Sequence, residues 1–151
     1  MKQRAFPLIR AAAIVALDRA TKLWIESSLA IFDTFTVIPG FFNIIHSRNT
    51  GMAFSLLEGR RVLLVSVSVL IMCFLVYLLW TSSGNRAALG LVIGGAAGNL
   101  YDRALRGFVT DFLDVYVGAN HWPTFNVADS AITIGAILLI IGMRRERTHV
   151  P

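Results

Sequence analysis

The stretch ALGLVIGGAAGNLYDR, residues 88–103, runs apolar and glycine-rich as far as Gly98 and then finishes on Asn99, Asp102 and Arg103. Read as a helix, its apolar part belongs in a bilayer. Ionisable side chains at membrane depth are costly and are kept for a functional site or a buried pair. The spacing of these three, i, i+3 and i+4, places them on one face of that helix.

The whole chain favours the membrane. Of its 151 residues, 56% are hydrophobic and only 15% charged, with a mean hydropathy of +0.66. A soluble domain of this length does not solvate such a composition. The length suits a single domain over residues 1–151, and no repeat period is visible. A net charge of +5 and a pI near 10.1 are compatible with nucleic acid, but the Lys and Arg residues flank apolar runs instead of forming a stripe. No nucleic-acid partner is expected. The lone cysteine, Cys73, lies inside VLIMCFLVYLLW and reads as packing. The opening MKQRAFPLIRAAAIVAL resembles a secretory signal, yet Asp18, Arg19 and Lys22 follow without a small-residue cleavage site. An uncleaved first span is the expectation.

A hydrocarbon core of roughly 30 Å takes about 20 helical residues. Four segments fit: about 8–27, 62–80, 87–105 and 127–143. An even number puts both termini on one side, and Lys2, Arg4, Arg10, Arg144, Arg145 and Arg147 mark that side as cytoplasmic, against Arg48, Arg60, Arg61 and Arg106 in the outer loops. Trp24, Trp80 and Trp122 fall near span ends, where interfacial rings sit. In the first outer loop TFTVIPGFFNIIH predicts two β runs around Pro39-Gly40. The following NTGMAFSLLEG predicts an interfacial half-helix capped by Asn49 or Thr50 and stopped at Gly59. The second outer segment, VTDFLDVYVGANHWP, reads as a loop closing on a turn. The expected fold class is an all-α membrane protein, with four transmembrane helices, a small extracytoplasmic β-hairpin or sheet, and that half-helix.

Polar residues recur at helical spacing elsewhere. Asn126 and Asp129 are i, i+3 at the start of the fourth span, and Asp18 and Lys22 are i, i+4 on the first. With Asp111 these faces can meet near the outer leaflet. Asp102 with Arg103, and Asp18 with Lys22, read individually as structural ion pairs. Asp111, Asp114 and Asp129 have no adjacent cation, and gathering carboxylates costs repulsion and desolvation that chemistry or ion binding would explain. Two close carboxylates share a proton and perform aspartic-protease chemistry, one activating water while the other polarises the scissile carbonyl. There is no H-E-x-x-H and no G-x-S-x-G. His46, His121 and His149 are scattered, which disfavours a histidine-rich zinc site, and His46 and His121 read as interfacial or solvated.

Taken together, DRATK at 18–22, NTGMAF at 49–54, GNLYDR at 98–103, VTDF at 109–112 and FNVADS at 125–130 resemble, in order and spacing, the bacterial lipoprotein signal peptidases, signal peptidase II. The resemblance implies an aspartic endopeptidase of the bacterial cytoplasmic membrane. Its substrates would be prolipoproteins already carrying diacylglycerol on a cysteine, cut just before that cysteine. By motif match Asp111 and Asp129 take the dyad positions, and Asn99, Asp102, Arg103 and Asn126 form the polar shell. Asn49 and Gly51 would contact substrate or inhibitor, while Asp18 and Lys22 support the site from the first span. Asp114 has no match and reads as an exposed loop acid. Met52 stands where alanine is more usual and Thr110 where a second valine is, and both would tune substrate or inhibitor fit. The acyl chains would stay in the bilayer, between the spans, of a protein acting as a monomer. No metal or organic cofactor is implied.

Two other classes compete. A small ion-coupled transporter would use the acids as a path, but a path should leave ionisable groups through the inner halves of the spans, and those are apolar. A metal-dependent membrane hydrolase would use Asp102, Asp111 and Asp129, and a chelator would abolish its activity. Gly94, Gly95 and Gly98 are expected to allow close helix packing rather than to form a dimer interface.

Overall fold

The computed structural model describes residues 2–51, 57, 59–81 and 84–147. Helix α1 covers Lys2–Ser28, strands β1 and β2 Thr34–Ile38 and Phe42–Asn49, α2 Arg61–Thr81, α3 Arg86–Arg106, β3 Val109–Val117, β4 Asn120–His121 and α4 Val127–Arg147. Each helix contains one of the expected spans and extends past it. By length and composition, α2 is the one described helix that meets the requirements for crossing a bilayer, and the apolar part of α4, Val127–Met143, is shorter.

Helix α3 is the hub of the helical layer because its glycines let backbones approach. A Cβ on Gly94 would stand 2.8 Å from the Ala11 carbonyl of α1, and one on Gly95 would strike the Ala128 carbonyl of α4. At Gly98 the occupant of the missing side chain's place is the Asp18 carboxylate, 2.7 Å from where a Cβ would lie. These glycines therefore serve packing within the chain, as their spacing suggested. Ala11, Leu75, Leu79, Leu89, Val92 and Ile93 form the apolar core among α1, α2 and α3. Helix α2 buries only Leu64, Leu75 and Leu79. Cys73 faces outward on it, so it does not pack inside as expected; an unbroken apolar helix gives no sign of which side faces its neighbours.

The ends of α3 are tied on both sides. Asn85 accepts the Ala88 N–H at the start. At the finish Gly107, with φ of +79°, returns its N–H to the Asp102 carbonyl. Arg61, the first residue of α2, donates from Nε to the Arg103 carbonyl at 3.0 Å and from a terminal nitrogen to that of Ala104 at 2.6 Å.

Beyond this end lies a four-stranded antiparallel sheet in the order β1-β2-β3-β4. The β1–β2 hairpin around Pro39-Gly40 matches the sequence reading. The second outer segment does not: residues read as a loop form β3, an inner strand of the sheet, with Val109, Thr110, Asp111, Phe112 and Asp114 all buried. Its acids hid a β-branched and aromatic strand whose two faces are both covered. Between Ile44 and Ser47 the β2–β3 register slips by one residue. The slip is a β-bulge, and it turns the residues beyond it to the other face of the sheet. Most of the expected half-helix, Met52 included, and His149 lie outside the described residues.

Candidate active site

Asp111 and Asp114 are three residues apart on β3, so their side chains leave opposite faces of the strand. The bulge in β2 gives each an asparagine. Before it, Asn43 pairs with Asp114 and donates to its Oδ2 at 2.8 Å. After it, Asn49 pairs with Val109 and its Nδ2 reaches diagonally to Asp111 Oδ2 at 3.0 Å.

Asp129 is placed by the start of α4. Asn126 is the N-cap: its Oδ1 accepts the Asp129 N–H at 2.9 Å, while Asp129 Oδ2 accepts the Asn126 N–H at 3.2 Å. This reciprocal box holds the carboxylate rotamer at the positive end of the helix dipole. Asp18, reaching from α1, accepts the next free N–H, that of Ala128, at 3.0 Å.

The four carboxylate oxygens of Asp111 and Asp129 thus each accept one N–H. Asn49 Nδ2 serves Asp111 Oδ2 and Asn126 Nδ2, at 2.7 Å, serves Oδ1. Asn99 Nδ2, also at 2.7 Å, serves Asp129 Oδ1, and the Asn126 backbone serves Oδ2. None of the three amides is free to flip. Asn49 Oδ1 is occupied by the Gly51 N–H, Asn126 Oδ1 by the Asp129 N–H, and Asn99 Oδ1 by the Lys22 ammonium at 3.2 Å. The donors are neutral and fixed, so they orient the acids without neutralising them. Burial first, and the nearby Asp129 carboxylate second, push the Asp111 carboxyl up to about 7.

The surrounding charges are paired with one another. Lys22 is fully buried and bonds Asp18 Oδ2 at 2.7 Å and Asp102 Oδ2 at 2.8 Å. Asp102 Oδ1 accepts Arg19 at 3.0 Å and Arg106 at 3.4 Å, and Arg106 also holds Glu26 at 2.7 Å. Asp102 is therefore not the partner of Arg103, because consecutive helical side chains diverge. Arg103 instead donates to the Gly51 carbonyl at 3.1 Å and lines the cavity of Asp111 and Asp129.

That cavity has a volume of about 530 Å³ and is bounded further by Asn49, Val109, the segment Trp122–Phe125 and Ile134. A second cavity, of about 340 Å³, reaches Asp129 and Arg103 from between α2, α3 and α4, past Ser68, Ile71 and Leu75.

The structure so gathers Asn49, Gly51, Asn99, Arg103, Asn126, Asp111 and Asp129 into one site, with Asp18, Lys22 and Asp102 in the layer behind. Asp102 turns both oxygens to cations, so the three acids a metal reading requires do not converge. Two readings are corrected. Asp114 is not an exposed loop acid but is 4% exposed and bonded to Asn43 and His121. His46 is buried and its Nδ1 lies 2.8 Å from the Leu29 carbonyl, neither interfacial nor solvated. Asn49 ends β2, and the half-helix it was expected to cap lies mostly outside the described residues. Arg19, Arg106 and Glu26 were not foreseen as members of the network, although Arg19 stands inside DRATK and Glu26 follows Lys22 at i+4. Thr110, where valine is more usual, donates its hydroxyl to Glu26 Oε1 at 2.6 Å.

Comparison with known proteins agrees with this geometry. The family model described as Signal peptidase (SPase) II matches residues 10–145. A protein of Solibacter usitatus named lipoprotein signal peptidase is 48% identical over 146 residues, covering 91% of this chain and 89% of its own length. One of Geobacter metallireducens with the same name is 39% identical over 150 residues, covering 95% and 92%. Among solved structures, a bacterial membrane enzyme superposes with a TM-score of 0.88 at 36% identity, over 96% of this chain and 91% of that one. A second bacterial membrane enzyme gives a TM-score of 0.81 at 38% identity, over 91% of each chain. This chain belongs to the signal peptidase II family.

Proposed function

We propose that the protein is a membrane aspartic endopeptidase that removes signal peptides from prolipoproteins, with Asp111 and Asp129 as its catalytic dyad. One observation carries the assignment: a buried carboxylate, Asp111, and a partly buried one, Asp129, line the same cavity, each oxygen holding an orientation-locked N–H and, among the described residues, neither in an ion pair. Such a pair retains one proton near neutrality. Burial and the neighbouring Asp129 raise Asp111 to about 7, and we assign the shared proton to it. The ionised partner takes a proton from water as the water adds to the scissile carbonyl, whose oxygen receives the proton of Asp111. On collapse of the tetrahedral intermediate the C–N bond breaks, the leaving amine takes a proton from Asp129, and a hydroxyl of the intermediate returns its proton to Asp111 as the carbonyl re-forms. The amide donors are in place before substrate arrives, so little reorganisation is needed.

The cleaved bond is the one preceding a diacylglyceryl-modified cysteine. The apolar residues exposed on the helices support a lipid setting: Val62 is 80% exposed, Leu70 70%, Phe74 58% and Ile134 53%. Water does not accommodate such faces on all sides of a bundle. All four helices then cross the cytoplasmic membrane as one domain over residues 1–151, with both termini cytoplasmic and the sheet and dyad near the outer leaflet. The cavity between α2, α3 and α4 opens toward lipid, so the acyl chains remain in the bilayer while the peptide meets the dyad. The protein acts as a monomer, and Asn49, Gly51, Asn99, Arg103 and Asn126 position substrate and dyad.

The test is cleavage of a diacylglyceryl-modified prolipoprotein peptide by the purified protein in detergent, with and without chelator, beside Asp111→Asn and Asp129→Asn. Chelator-resistant cleavage before the lipidated cysteine, lost in either variant, is the expected result. Full activity in both folded variants would overturn the dyad.

A further inference from the structure

Asp114 is a buried acid that the proposed reaction leaves unused. Its Oδ2 is held by Asn43 of β2, and its Oδ1 lies 2.8 Å from Nδ1 of His121 on β4. A carboxylate only accepts, so Nδ1 carries the hydrogen. The His121 side chain is half exposed, and its ring stacks on Tyr116 with centroids 4.8 Å apart and 7° between planes. Tyr116 is tied in turn to the β1–β2 hairpin, its hydroxyl accepting the Gly40 N–H at 2.9 Å.

The pair adds a side-chain fastening to the start of a segment that is otherwise laid along β3 by backbone bonds. Strand β4 is two residues long, both exposed, and so short a strand is marginal unaided. From it the chain runs through Trp122, Pro123, Thr124 and Phe125, which form one wall of the cavity of Asp111 and Asp129. The Trp122 N–H bonds the Val115 carbonyl at 2.9 Å and the Phe125 N–H that of Leu113 at 3.1 Å, so this wall lies along β3. Asn126 and Asp129 follow, but the helix cap, Asp18 and Asn99 hold them independently.

We propose that the Asp114–His121 pair is a latch that positions the Trp122–Phe125 wall, so that it governs how tightly the cavity binds substrate and not the bond-breaking step. Asp114 and His121 are then positioning residues for the reaction proposed above, on which this reading rests.

Two substitutions separate the hydrogen bond from the ring. His121→Phe keeps the stacking on Tyr116 and loses the Nδ1 donor. His121→Asn presents an N–H at a similar distance from the backbone and loses the ring. With the lipidated peptide and the full-length protein in detergent, His121→Phe is expected to raise KM roughly 3- to 10-fold, the worth of one net hydrogen bond, with kcat within about 2-fold of wild type. His121→Asn restores most of the KM. Amide hydrogen exchange at Trp122 and Phe125 speeds up in the Phe variant alone. Unchanged KM and exchange in His121→Phe, a fall in kcat at constant KM, or an Asn variant as weak as the Phe variant would each overturn the latch. A wild type that leaves the lipidated peptide intact would instead sink the functional reading, and the exchange comparison would still decide whether the wall is latched.

Discussion

Two groups of carboxylates, drawn from α1, α3, β3 and α4, meet on either side of Asn99 and are treated in opposite ways. Asp18, Asp102 and Glu26 are matched by Lys22, Arg19 and Arg106 in ion pairs of 2.7 to 3.4 Å. Asp111 and Asp129 are held by Asn49, Asn99 and Asn126. Cations quench a carboxylate and make it a fastener between helices; neutral amides orient it and leave its proton available. Asn99 joins the groups, since Lys22 occupies its Oδ1 and thereby aims its Nδ2 at Asp129. The number of acids in a membrane protein therefore says less about chemistry than the charge of what they touch.

The comparison breaks most visibly at the dyad. Asp111→Asn or Asp129→Asn should lower cleavage by about 1,000-fold or more, within the range for losing a general acid or base, while thermal unfolding stays cooperative. On the quenched side, Lys22→Met leaves Asp18 and Asp102 without their shared cation. It should cost about 3–5 kcal/mol of stability, read as a fall in Tm in detergent, with loss of folded protein preceding any change in catalytic pH dependence. The link between the groups is sharpened by Asn99→Ala, which removes one donor to Asp129. Cleavage should fall roughly 100-fold, in line with loss of a single preorganised donor, with a much smaller change in Tm than for Lys22→Met.

The smallest effect is a pH dependence. Burial and Asp129 raise Asp111 from 3.8 to about 7, so its folded form keeps a proton that the unfolded chain has already released. Its contribution to stability is whole below about 3.8 and is lost as pH rises through about 7. Wild-type Tm should drop relative to Asp111→Asn between those limits, and wild-type cleavage should decline above about 7. A Tm difference that stays flat across that window would place Asp111 among the quenched acids.

Much of this site was legible in one dimension because helices report their own faces. The i, i+3 and i, i+4 spacings in DRATK, GNLYDR and FNVADS put Asp18 with Lys22 and Asn126 with Asp129 and let the polar faces meet, while the Asn99–Asp129 bond and the Asn126 cap came from the structure. Strand β3 was harder, since VTDFLDVYV buries both faces at its start and so lacks the alternation that marks a half-exposed strand. Asp114 was misjudged for that reason: a charged residue among aromatics in an outer segment reads as solvated until its partners are known. His121 stands in sequence next to an aromatic belt residue, and nothing local announces an acid seven residues earlier as its partner.

The sequence by itself determined the membrane composition, the four helices and the β1–β2 hairpin, and its ordered motifs singled out Asp111 and Asp129 by their resemblance to a family. The composition, helices and hairpin rest on residue content, the 3.6-residue period and turn chemistry, which are local properties of the chain. Tertiary structure alone decided which partner each acid received. One bulge in β2 sends Asn43 to Asp114 and Asn49 to Asp111, and the glycine surface of α3 admits Asp18 and Lys22 to the back of the site. A register slip inverts every later side chain, and a close helix approach depends on the other helix. Partner choice is therefore a property of the assembled fold, and with it the difference between an acid that fastens and an acid that reacts.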